Sequence, residues 1–141
     1  MKPKKEIRKE SYVIKFIKLK KRRIFGYGKE RHHGKTIFVG ELEKIIADSL
    51  LLPMYCSISE AFTALVEGTY DIKKLIRYAI AMDSVVVLKR LGHLLEKHGV
   101  DVYGKLKGKL NKRYDALDPL LPTIGKHDKK WRLIINETFE A

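Results

Sequence analysis

The chain has 141 residues, is 45% apolar and carries a formal net charge of +13, the size of one domain with one core. No apolar run approaches the roughly 18 residues needed to span a bilayer, and no apolar segment follows the basic N-terminus, so a soluble cytoplasmic protein is expected. Its single cysteine, Cys56, excludes an internal disulfide and speaks against a thiolate zinc site; it reads as a small buried hydrophobe.

Residues 1–35 hold fourteen Lys or Arg against three Glu, so eleven of the thirteen net positive charges sit in the N-terminal quarter. A dense cationic segment is the electrostatic footprint of a phosphate backbone or another acidic partner. Gln is absent and only Asn111 and Asn136 occur, a composition that points to a thermophilic source.

Residues 1–10 form a charged lead, expected to be disordered, ahead of a single α+β domain over 11–141. A first strand is expected at Tyr12–Leu19, where Tyr12, Ile14 and Phe16 share a face. The basic quartet Lys20-Lys21-Arg22-Arg23 leads into Gly26-Tyr27-Gly28-Lys29-Glu30-Arg31-His32-His33-Gly34-Lys35-Thr36, which ends like a phosphate loop. Five residues separate Gly28 from Gly34 where that motif has four, and Lys35-Thr36 runs into the strand-like Ile37-Phe38-Val39 rather than a helix. A hairpin tip is predicted, within a basic antiparallel sheet over 11–39.

After Gly40 the apolar period lengthens to about 3.6, and residues 41–114 read as helical. Leu42, Ile45, Ile46 and Ser49 form one stripe that stops before Pro53. Ser57 and Glu60 make a capping box for the next helix, with Gly68 at its end. Asp71 caps Ile72–Met82, and Ser84 caps Val85–His98. A shorter basic helix is expected over Val102–Tyr114, weakened by Gly104 and Gly108. A late strand at 131–136 is expected to return to the N-terminal sheet. The fold class is therefore α+β, a small sheet packed on four to five helices.

No assembled catalytic set, metal-ligand cluster or cofactor motif emerges. His32 and His33 leave a strand on opposite faces without a ligand-spaced Cys or acidic residue nearby, His93 and His98 read as structural helix residues, and His127 lies in a loop without an evident partner. Glu41-x-Glu43-Lys44 opens a helix, whereas metal-dependent nucleases carry such carboxylates on strands. The candidate nucleic-acid-binding residues are Lys18, Lys20, Lys21, Arg22, Arg23, Lys29, Arg31 and Lys35, interleaved with Tyr12, Phe16, Phe25 and Tyr27.

Glu43-Lys44-Ile45-Ile46-Ala47-Asp48-Ser49-Leu50, Pro53-Met54-Tyr55-Cys56, Lys89-Arg90-Leu91-Gly92-His93-Leu94-Leu95-Glu96 and Asp118-Pro119 with Trp131 and Asn136 occur in a characteristic order. Over residues 22–136 this order resembles the C-terminal domain of AbiEi-type antitoxins, also described as predicted transcriptional regulators of viral defence systems. Leu52 stands where that family usually has Arg, and its N-terminal winged helix has no counterpart here. The resemblance implies a non-enzymatic binding domain that neutralises a nucleotidyltransferase-type toxin, contacts DNA, or both. The alternatives are a stand-alone DNA- or RNA-binding protein and, behind it, a divergent metal-dependent nuclease.

Overall fold

The computed structural model describes residues 18–139, together with Ile7–Arg8 and Val13–Ile14. Ile7–Arg8 (β1) pairs antiparallel with Val13–Ile14 (β2), Ile7 opposite Ile14. The rest of the expected 1–10 lead and half of the expected Tyr12–Leu19 strand lie outside the described residues; of the other half only Val13–Ile14 is strand, and Lys18 and Leu19 are not.

Tyr27–His32 (β3) and Lys35–Gly40 (β4) form the predicted hairpin, with Tyr27 opposite Gly40 and His32 opposite Lys35. Its turn residues, His33 (φ 51°) and Gly34 (φ 76°), both lie in the left-handed region required of a two-residue type I′ turn. Lys35 and Thr36 thus re-enter a strand. They do not open a helix, and no phosphate loop forms.

Four helices follow as the apolar periodicity predicts: Leu42–Leu51 (α1), Ile58–Glu67 (α2), Ile72–Ala81 (α3) and Val85–Lys97 (α4). The capping box closes in both directions, Glu60 N–H donating to Ser57 Oγ at 3.1 Å and Ser57 N–H to Glu60 Oε2 at 3.0 Å. Asp71 accepts from the amides of Lys73 and Lys74. Ser84 precedes α4 without a capping hydrogen bond from its side chain. The expected Val102–Tyr114 helix shrinks to Tyr103–Leu106 (α5) and a 3₁₀ turn at Lys107–Lys109. Gly104 and Gly108 each cost a helix about 1 kcal/mol relative to Ala, and only Leu106, fully buried, and Tyr103, partly buried, tie these turns to the core.

The late strand narrows to Leu133–Ile135 (β7), and its partners correct the expectation that it joins the N-terminal sheet. It is the centre of a separate sheet, parallel to Asp115–Ala116 (β5) and antiparallel to Lys126–Asp128 (β6). β6 lies just upstream and loops directly back to it, which makes that pairing local. The architecture is α+β, with the core among the helices and completed by Leu117, Trp131 and Leu133 from the C-terminal segment.

Helix α4 is central: Val87, Leu91, Leu94 and Leu95 are fully buried, each worth about 1.5–3 kcal/mol of apolar transfer. Its other face is buried too. Lys89 Nζ donates to Asp115 Oδ2 at 2.6 Å and to the Arg113 carbonyl at 2.5 Å. Arg90 donates to the Leu50 carbonyl at 2.8 Å and the Ala116 carbonyl at 3.0 Å. Asn136 donates to the Asp118 carbonyl at 2.7 Å and accepts from the Asp118 amide at 2.9 Å. The Lys89 and Arg90 contacts fasten the β5-β7-β6 sheet to the helices, and Asn136 ties the end of β7 to the Asp118 backbone.

His93, also on α4, is buried, and its Nδ1 has no hydrogen-bond partner among the described residues, lying 3.7 Å from Asp128 Oδ2. Burial lowers its pKa most strongly, opposed by Asp128 and Glu96 and assisted by Lys97. The folded state therefore prefers neutral His93, and its contribution is intact above the ordinary histidine pKa of about 6.5. It is lost as pH falls from there towards the lowered folded value, because the unfolded chain then binds the proton more readily. Glu137 pulls the other way: burial, with Asp118 beside it, raises its carboxyl to about 7, so deprotonation at higher pH opposes folding. Comparing urea midpoints of wild type and His93→Gln at pH 7.5 and 5 isolates the histidine. The wild type is expected to lose more stability than the variant, and parallel losses would remove His93 as the cause.

Candidate nucleic-acid interface

Register divides the hairpin into two faces. Tyr27, Lys29 and Arg31 share one face with Thr36 and Phe38, while Lys35, Ile37 and Val39 lie on the other with Gly28 and Glu30. Both faces are exposed along β4, and Phe38 stands 67% accessible. Lys29 Nζ lies 5.8 Å from the centre of the Phe38 ring, and Arg31 donates to the Gly34 carbonyl at 3.3 Å. The first face is thus a cationic strand interleaved with two open aromatic rings.

The other candidate cations separate by role. Lys18, Lys20 and Lys21 are exposed and make no ion pair among the described residues. Arg22 pairs with Asp83 at 3.3 Å while remaining half accessible. Arg23 is a fold residue, since its Nε donates to the Met82 carbonyl at 2.8 Å and its Nη2 to the Asp83 carbonyl at 3.4 Å. It satisfies carbonyls just past α3 that the helix leaves unpaired. Lys35 is exposed but lies across the hairpin from Lys29 and Arg31. Of the eight candidates, the structure brings Lys29 and Arg31 together on one surface and assigns Arg23 to the scaffold.

The hairpin's root is rigidly held. Glu41 N–H donates to the Gly26 carbonyl at 2.8 Å, and Tyr78 Oη donates to Glu41 Oε1 at 3.0 Å. The Lys74 ammonium also pairs with Glu41, lowering that carboxyl's pKa. Phe25 packs edge-on against Tyr78 at 5.2 Å. Beneath it Lys44, fully buried, lies 4.7 Å from the Phe25 ring and 5.7 Å from the Tyr27 ring and bonds Asp48 Oδ1 at 2.5 Å. Lys44, whose place in the sequence suggests part of a nuclease motif, is a structural counter-ion.

Beside this root is a cavity of about 280 Å³ that sequence reading missed. Leu19, Tyr27 and Tyr55 line it together with the polar groups of Asp48, Ser49 and Cys56. Burial pushes the Asp48 carboxyl upward against the pull of Lys44, and raises both the Cys56 thiol and the Tyr27 phenol. Cys56 is therefore a protonated wall group, not an activated nucleophile. The lining residues come from four separate segments, so no local motif announces the cavity.

Among the described residues no helix is long and apolar enough to cross a membrane, and no three His, Cys, Asp or Glu side chains stand together as a metal-ligand group. Comparison with protein-family models, with curated proteins and with solved structures finds no match to this chain.

Proposed function

We propose that this chain is a non-enzymatic binding domain that contacts nucleic acid through the Tyr27–Lys29–Arg31–Phe38 face of its hairpin. The observation that carries the reading is the register, which sets two exposed cations and two open rings on one face of the two-stranded hairpin above a braced root. Cations neutralise phosphates while aromatic rings stack on bases, and the combination suits a strand whose bases are accessible.

The test is fluorescence anisotropy with single-stranded and duplex oligonucleotides at 50 and 200 mM salt. Wild-type affinity is expected to fall steeply with salt. Lys29→Glu/Arg31→Glu weakens binding at least tenfold and flattens the salt slope by about 1.4, near 0.7 for each single-strand phosphate that is no longer neutralised. Absence of binding at 50 mM salt removes the proposal.

A second reading follows the family resemblance: an antitoxin-like domain whose partner is a nucleotidyltransferase-type toxin. The opposite hairpin face favours it, because Ile37 and Val39 are exposed there, and apolar surface of this kind suits a protein partner. Co-purification with a nucleotidyltransferase encoded beside this gene tests it, and failure of the pair to associate removes it.

A further inference from the structure

We infer that the cavity at the hairpin's root is a subsite for one unstacked nucleobase of a single strand, selecting a base that presents an exocyclic amino group. The inference rests on the nucleic-acid reading and adds a specificity site to it.

The cavity's volume, about 280 Å³, falls just below the roughly 300–1,000 Å³ of pockets that hold drug-sized ligands, so the space suits one small ring system. The chemistry of the lining agrees with its size. Tyr27 and Tyr55 contribute partly exposed rings, which are stacking platforms for any base. Asp48 contributes an acceptor: Lys44 occupies Oδ1, while Oδ2 accepts no hydrogen bond among the described residues. A carboxylate reads the amino group of cytosine, whereas thymine presents a carbonyl oxygen at the same position. Because Lys44 already balances the charge of Asp48, the site suits a neutral N–H donor and offers little to an isolated phosphate.

Tyr27 opens the strand that carries Lys29 and Arg31, and Leu19 lies between Lys18 and Lys20 on the segment that also lines the cavity. A backbone held by cations on either side can place a base in the space between them. Bases read one at a time in this way belong to single strands, whose bases can be splayed from the stack.

Binding of an oligodeoxycytidylate and an oligothymidylate of equal length, followed by anisotropy at 50 mM salt, tests the assignment. Wild type is expected to prefer the oligodeoxycytidylate about tenfold. Tyr55→Ala reduces that affinity about tenfold, and Tyr55→Phe restores it, because stacking needs the ring and not the hydroxyl. Asp48→Asn erases the preference for cytosine. Should that variant unfold because it strips buried Lys44 of its counter-ion, the exposed Tyr55 pair still decides the question.

Equal affinity for the two strands, or no change in Tyr55→Ala, overturns the subsite while the Lys29 and Arg31 variants continue to report on the hairpin. Binding of free deoxycytidine monophosphate as tight as that of the strand overturns the assignment to a strand. No binding of either oligonucleotide overturns the underlying nucleic-acid reading instead.

Discussion

Gly92→Ala is expected to destabilise the fold by about 3 kcal/mol, at the upper end of the usual cost of overpacking a core. A Cβ at Gly92 would lie 2.1 Å from both Cη2 and Cζ3 of Trp131, far inside contact distance. The indole cannot yield cheaply. It is fully buried, meets Tyr103 edge-on at 5.2 Å, and donates from Nε1 to Glu96 at 3.3 Å. Trp131→Ala, which leaves a cavity in place of the ring, is expected to cost about 3–5 kcal/mol. The double variant Gly92→Ala/Trp131→Ala should cost clearly less than the sum of the two, since the new methyl enters space that the ring has vacated. Gly104→Ala is the control: it sits in α5 with nothing within 4 Å of its added methyl, and helix propensity makes it neutral or stabilising by up to about 1 kcal/mol. Urea unfolding measures all four. Strict additivity of Gly92→Ala and Trp131→Ala would show that the glycine does not serve the indole.

Gly92 belongs to a set of motif residues whose roles in the fold are structural. Lys44 and Asp48 pair with each other; Lys89 and Arg90 hold β5 and the end of α1; Gly92 admits Trp131; and Asn136 locks the Asp118 backbone. These motif residues are positions that hold this fold together, so they report on architecture more directly than on a partner. A partner must be read from exposed residues, which those motifs largely omit.

What sequence could and could not reveal follows from the range of the interactions. The four long helices were legible because their apolar stripes and the Ser57–Glu60 and Asp71 caps act within a few residues. The hairpin was legible because its turn needs a glycine-bearing pair between two strand-forming runs. β5 and β6 were not: Asp115–Ala116 and Lys126–Asp128 are short and polar, and only their hydrogen bonds to β7 make them strands. Ile45 belongs to the expected helical stripe yet stands 46% exposed at the cavity, because the stripe is wider than the surface that covers it. Among the candidate cations, sequence supplied the charge but not the division between Lys29 and Arg31 on one face, Lys35 on the other and Arg23 bound to the end of α3. Burial of Lys44 and Lys89 was equally invisible, since lysine is ordinarily a surface residue and only its counter-ion's position permits otherwise.

Lys89 supplies the other large effect. Its side chain is fully buried, and its ammonium bonds only Asp115 and the Arg113 carbonyl among the described residues. Asp115→Ala is therefore expected to cost about 3–5 kcal/mol, because it leaves an uncompensated cation in the interior. Lys89→Met should cost much less. It removes the buried charge, fills most of the same volume, and leaves Asp115 with Arg113, whose guanidinium lies 3.5 Å away at the surface. The order of the two single variants is the diagnostic result, since a simple loss of attraction would make them equal. Adding Lys89→Met to Asp115→Ala should recover most of the stability that the second change removed, despite introducing a further substitution. Urea unfolding of the three variants decides it: a cost below about 1 kcal/mol for Asp115→Ala would mean that water reaches the Lys89 ammonium. Recovery in the double variant would instead show that the ion pair adds little net stability, because a well-packed apolar side chain at position 89 replaces it at little cost.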